Sequence, residues 1–146
     1  MNLRPTALRS DRLAKTKFSY YNHHMKNLEI IKNKELLNIL RDVKHEIRQL
    51  FGDKLRGLIL YGSYARNEQD PESDIDIMIL VDDNEDGLRN YRYLIADVMG
   101  ELTIKYGKLI SLAEVTYNRF IDFLEVLPFY KNISEEGVEI YGKEAA

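Results

Sequence analysis

Residues 73–81 read SDIDIMILV, a run in which two carboxylates one residue apart, Asp74 and Asp76, open a segment whose remainder is wholly apolar. An apolar run this short and this rich in Ile predicts a strand buried on both faces. The two-residue period of a strand puts Asp74 and Asp76 on one face, about 6–7 Å apart along the chain. Two ionised carboxylates in that arrangement repel each other and lose hydration. They are expected only where a cation or a strong set of donors neutralises them.

The neighbouring sequence predicts what covers such a strand. From Leu28 the apolar positions Leu28, Ile31, Leu36, Leu37, Leu40, Val43, Ile47 and Leu50 recur at helical spacing, and Gly52 supplies a stop. Leu55 to Tyr61, LRGLILY, is a second buried strand that runs into Gly62. A brief turn from Ser63 to Glu68 comes next, closed by Asp70-Pro71. The acidic loop at 82–86 leads into a helix over Leu88 to Tyr106, ended by Gly107, with Leu88, Tyr91, Leu94, Ile95, Val98, Met99 and Leu102 on one stripe. Acids there suit a helix N-terminus without further explanation. Lys108 to Thr116 reads as a third strand, Thr116 as the N-cap of a helix to about Val126, and Pro128 as the start of a short last helix. Gly137 then precedes a tail, VEIYG. The order implies an α/β (α+β) domain: a small sheet covered by helices, with a long N-terminal helix.

Charge divides the chain. Residues 1–24 hold Arg4, Arg9, Arg12, Lys15 and Lys17 against Asp11 alone, a net of +4, within a chain whose total is −3. The expected organisation is a basic, flexible leader over 1–24 and one domain over 25–146. The acidic body argues against nucleic acid as a partner on bulk charge. The adjacent His23 and His24 point in different directions on any regular element, so they make no metal pair. Cysteine is absent, which removes thiolate chemistry and suits a reducing compartment. No apolar run approaches the roughly 20 residues that cross a bilayer, so a cytoplasmic location is expected.

The chemistry concentrates between Leu60 and Val81. Gly62-Ser63 leaves a buried strand and starts a helical turn, which offers backbone N–H groups and a hydroxyl to an anion. Eleven residues on from Ser63, Asp74, and with it Asp76, can reach one divalent metal. Mg²⁺ suits them because it takes one or two protein carboxylates and fills its octahedron with waters and phosphate oxygens. Together these residues form a candidate triphosphate clamp. Arg66, three residues after Ser63, either adds charge to the phosphate pocket or pairs with a nearby acid. Ser63 has no partner for hydrolase chemistry, because His45 belongs to the exposed side of the first helix.

The segments Gly62-Ser63-Tyr64-Ala65-Arg66 and Ser73-Asp74-Ile75-Asp76 resemble the signature of the minimal nucleotidyltransferases (MNT) of the DNA polymerase β-like superfamily. The resemblance implies a mixed-sheet nucleotidyltransferase fold, ATP with Mg²⁺ as the substrate complex, and transfer of a nucleoside monophosphate, AMP, to a hydroxyl. It implies Asp74 and Asp76 as catalytic, metal-binding residues and Gly62, Ser63 and Arg66 as nucleotide-binding ones. Small members of this kind are often antitoxins encoded beside a HEPN-type ribonuclease toxin; some adenylylate a tyrosine on it and others act chiefly by binding. Here the acceptor is expected to be a hydroxyl on a partner protein, with a homo-oligomer possible.

One departure stands out. The superfamily usually carries a third carboxylate on the neighbouring strand, and in Leu109 to Val115 no Asp occurs. Ser111 is expected in that place. Glu114, the only acid, has opposite parity and reaches the site only if a bulge intervenes. A binding module with a weak or silent site is therefore the alternative reading, with Phe120, Phe123, Phe129 and Tyr130 as candidate anchors or as core.

Overall fold

The computed structural model describes residues 25–143; the leader expected over 1–24 lies outside the described residues, as do 144–146. The first long helix, α1, spans Lys34–Phe51, six residues later than the apolar stripe predicts. Asn33 sets the start, since its side chain accepts the N–H of Leu36 at 3.1 Å. The residues ahead of it form a two-residue strand, β1 (Lys26–Asn27), and a short 3₁₀ turn over Leu28–Ile30. The helix buries Leu36, Ile39, Leu40, Val43, Ile47 and Phe51.

Both expected strands form, as β2 (Leu55–Tyr61) and β3 (Ile75–Val81). The acidic loop caps a short helix, α2 (Glu85–Arg89), and a second helix, α3 (Arg92–Tyr106), comes after it. The single helix predicted over 88–106 is thus broken at Asn90-Tyr91. Tyr91 turns inward to meet Phe51 at 4.5 Å between ring centroids, while Leu94, expected on the buried stripe, is half exposed. Next come β4 (Ile110–Thr116), α4 (Tyr117–Phe123), α5 (Pro128–Glu136) and β5 (Val138–Gly142). Thr116 caps α4 as predicted, accepting the N–H of Arg119 at 3.2 Å.

The sheet is mixed, in the order β1-β5-β2-β3-β4. The segment expected as a tail, Val138 to Gly142, is in fact an inner strand. It runs antiparallel to β2 on one side and parallel to β1 on the other. Five residues with one alternation are too few to announce a strand, and pairing supplies what local pattern does not. In β3, Ile75, Ile77, Ile79 and Val81 face a core closed by α1 and α3. Met78 and Leu80 point the other way, into a second core with Phe120, Ile121, Tyr130 and Ile133 of α4 and α5. The sheet is therefore covered on both faces, as the all-apolar strands require. Among the described residues no helix is long and apolar enough to cross a membrane.

Candidate active site

Gly62 ends β2 with φ +74°, a left-handed conformation that L side chains rarely adopt. Its carbonyl then accepts the N–H groups of Ala65 at 3.1 Å and Arg66 at 3.2 Å, and that of Ser63 accepts Glu68 at 2.9 Å. These bonds wind residues 63–68 into the helical turn expected after the strand. The return to β3 is fixed by Ser73, whose hydroxyl accepts the N–H of Asp70 at 2.9 Å, and by Asp70, whose carboxylate accepts Glu72 N–H at 2.8 Å.

β3 then begins with Ile75, so Asp74 stands just ahead of the strand and Asp76 within it. Asp76 pairs with Tyr61 across β2 and with Ser111 across β4. By strand alternation it shares a face with Met78 and Leu80, on the side of α4 and α5. Its carboxylate lies against the glycine turn: a Cβ built on Gly62 would come within 2.5 Å of Asp76 Oδ2. The turn and the acid therefore form one wall, with no side chain between them.

Electrostatically the two acids are only partly compensated. Among the described residues neither Asp74 nor Asp76 makes a salt bridge. Burial pushes the Asp76 carboxyl above the usual carboxylate range, the negative charge of Asp74 pushes it further, and Arg66 offsets part of this. Tyr61 is also raised, by burial and by Asp76. A half-buried carboxylate with a second one beside it and no paired cation is a donor set for a divalent ion. Among the described residues no group of three or more His, Cys, Asp or Glu comes together, so the set is two carboxylates. Mg²⁺ fits two such ligands.

Arg66 is engaged elsewhere. Its guanidinium donates to Glu68 at 3.0 Å and to Glu136 of α5 at 3.5 Å. Of the two roles the sequence leaves open, the structure has it paired with acids. A cavity of about 240 Å³ opens beside it, walled by Tyr61, Gly62, Arg66, Phe129, Asn132 and Glu136. Tyr61 and Phe129 meet edge to face, with centroids 5.7 Å apart. Sequence patterning does not single out Tyr61, Asn132 or Glu136 as site residues. The α5 residues reach the turn only through packing, and nothing local in their sequence signals it.

Ser111 occupies the register position opposite Asp76, whereas Glu114 stands opposite Ile79 and shares the parity of Leu112. The pairing from Ile75 to Val81 runs without a bulge, so Glu114 stays off the face that carries Asp76. Of the four aromatics singled out near the C-terminus, Phe120 and Tyr130 are core, while Phe123 and Phe129 are partly exposed.

The family model described as "Nucleotidyltransferase domain" matches residues 40–141. Among curated proteins, "Putative protein adenylyltransferase MJ0141" of Methanocaldococcus jannaschii is 33% identical over 106 residues, covering 73% of this chain and 99% of the relative. A second protein of the same description and organism, MJ0604, is 31% identical, covering 70% of this chain and 94% of its own length. A solved structure described as "Crystal structure of the toxin-antitoxin with AMP-PNP" superposes with a TM-score of 0.49 at 20% identity, over 72% of this chain and 74% of that one, a likeness too loose to speak to function.

Proposed function

This chain belongs to the nucleotidyltransferase domain family, matching it from residue 40 to residue 141, and on that premise we propose that it transfers AMP from ATP to a hydroxyl of a protein partner. The observation that carries the reading is the closeness of the Gly62 turn to the Asp76 carboxylate, with Asp74 beside it and no salt bridge to either acid among the described residues. The adenylyl group is favoured by the names of the archaeal relatives, which describe those proteins as adenylyltransferases.

Asp74 and Asp76 would hold Mg²⁺, which would neutralise the triphosphate and bring it to the strand ends. The Gly62-Ser63 turn offers backbone amide groups and the Ser63 hydroxyl to the β- and γ-phosphates, and the absent side chain at Gly62 lets them approach. The acceptor oxygen attacks the α-phosphorus in line; the bond from the α-phosphorus to the bridging oxygen breaks, pyrophosphate leaves with the electron pair, and the hydroxyl proton goes to solvent. The chain contributes position and charge compensation rather than covalent chemistry. A macromolecular acceptor is favoured by Phe129, half exposed at the mouth of the cavity, and by Phe123 and Val126 exposed nearby in the chain.

The finer reading is that the acceptor is a tyrosine of a HEPN-type ribonuclease and that this chain is its antitoxin, acting in the cytoplasm. It rests on the resemblance of residues 62–66 and 73–76 to the minimal nucleotidyltransferases. A second reading, neutralisation by binding alone, is favoured by one observation: Ser111, not an acid, faces Asp76 across β4. Incubation with ATP labelled at the α-phosphate, Mg²⁺ and such a ribonuclease separates the two. Label on the ribonuclease that disappears with Asp74→Asn and with Asp76→Asn is the expected result. Inhibition that survives both substitutions without any label would overturn it in favour of binding.

A further inference from the structure

A cavity of about 620 Å³ lies on the other side of the sheet from Asp76 and plays no part in the chemistry above. One wall is α1, which presents Arg41, Lys44, His45 and Arg48 to it; the other includes Asp53 and Tyr141. The spacing i, i+3, i+4, i+7 puts the four basic residues within about 100° of arc and spreads them over about 10 Å of helix.

Charge on α1 is segregated by flank. Its three acids, Glu35, Asp42 and Glu46, fall by helical spacing on the opposite flank; Glu35 lies near Lys108 at 3.8 Å, and Asp42 accepts from Lys105 at 2.8 Å and from Tyr106. Asp53, the carboxylate lining the groove, is approached by Lys143, at 4.0 Å from its side chain. Arg41 lies 3.8 Å from Asp42, a carboxylate already engaged, and Lys44 has no ion pair among the described residues. Like charges at this spacing repel modestly, and an anion seated along the stripe relieves that repulsion. The guanidinium of Arg48 sits over the ring of Tyr141, 5.2 Å from its centroid.

We propose that this groove binds single-stranded nucleic acid, with Arg41, Lys44 and Arg48 on consecutive phosphates and the Arg48–Tyr141 stack as a platform for a base. Charges spread over about 10 Å fit a chain of phosphates rather than one isolated anion. An aromatic ring interleaved with the cations distinguishes a nucleic acid from an acidic protein surface, because every base offers a face for stacking. The acidic total charge of the chain is no obstacle, since the contact is local.

The test is fluorescence anisotropy of a labelled 12-nucleotide oligouridine RNA with the full chain. Three phosphate contacts predict a log–log salt slope of about −2, or about twentyfold weaker binding between 50 and 200 mM salt. The combined variant Arg41→Gln, Lys44→Gln, Arg48→Gln is expected to bind at least tenfold more weakly at 50 mM salt, with a slope near zero; Tyr141→Ala weakens binding while keeping the slope. A charge-matched control, Arg89→Gln with Arg92→Gln and Lys131→Gln, stays within twofold of the wild type. The leader remains in every variant, so the difference reports the groove. Wild-type affinity in the triple variant, absence of binding at 50 mM salt, or equal competition by polyglutamate would each overturn the proposal. Calorimetry with Mg²⁺ and ATP, unchanged in the triple variant, keeps this result separate from the fate of the transferase reading.

Discussion

Gly62 and Asp76 share one space: the hydrogen at the Gly62 α-carbon is what leaves room for the Asp76 carboxylate, since a methyl group there would lie 2.5 Å from Oδ2. Gly62→Ala therefore meets two penalties, the left-handed φ of +74° and the collision with the carboxylate. The backbone term alone is about 1–2 kcal/mol. Thermal unfolding is expected to show that loss. Adenylyl transfer should fall by at least about 100-fold, because the acid must swing away from the position it needs.

Removing the charge of Asp76 should separate stability from activity. Its carboxyl is raised by burial and by Asp74. The folded state thus holds its proton more tightly than the unfolded state, and the contribution to stability falls as pH rises from the ordinary carboxylate value of about 4 through the raised one. At neutral pH without metal, Asp76→Asn is expected to raise Tm by roughly 1–3 °C while abolishing transfer. Mg²⁺ should raise the wild-type Tm and leave the variant unmoved. A variant less stable than the wild type under metal-free conditions would contradict the assigned strain.

The same coupling is readable by titration. With Asp74→Asn the Asp76 midpoint, followed by carboxyl carbon shifts in NMR, moves down toward the ordinary range, because the second cause of its elevation is gone. An unmoved midpoint would mean that the two carboxylates do not sense each other.

Arg66 is held by Glu68 and by Glu136. All three side chains are well exposed, so Glu136→Gln should change stability by less than about 0.5 kcal/mol. Freed from one acid, the guanidinium can turn to the nucleotide. Steady-state kinetics are expected to give a KM for ATP lower by about two- to fivefold in Glu136→Gln and about tenfold higher in Arg66→Gln, with kcat little changed in both.

Ser111 faces Asp76 across β4. Ser111→Asp would place a third carboxylate on the metal-facing side and is expected to raise the transfer rate by about tenfold or more. Glu114→Gln, on the other face, should leave the rate as it was. A gain from Glu114 substitutions, or none from Ser111→Asp, would assign the strand's role differently.

The chain's own order of residues was enough to disclose the glycine-serine turn, the place of Asp76 within a strand and the opposite parity of Ser111 and Glu114, since each depends on strand alternation or on backbone freedom within a few residues; that the strand starts only at Ile75, which leaves Asp74 just ahead of it, was decided by pairing. Where the long helix begins, that the helix over 88–106 is broken, and that Val138 to Gly142 is an inner strand were settled by capping and pairing, where Asn33, Tyr91 and β2 outvote local periodicity. Only the folded chain brings Phe129, Asn132 and Glu136 of α5 against the Gly62 turn and pairs Arg66 with Glu68 and Glu136. The contact between Arg66 and Glu136 joins segments 70 residues apart; it depends on how the helices pack over the sheet, and no short stretch of sequence encodes that by itself.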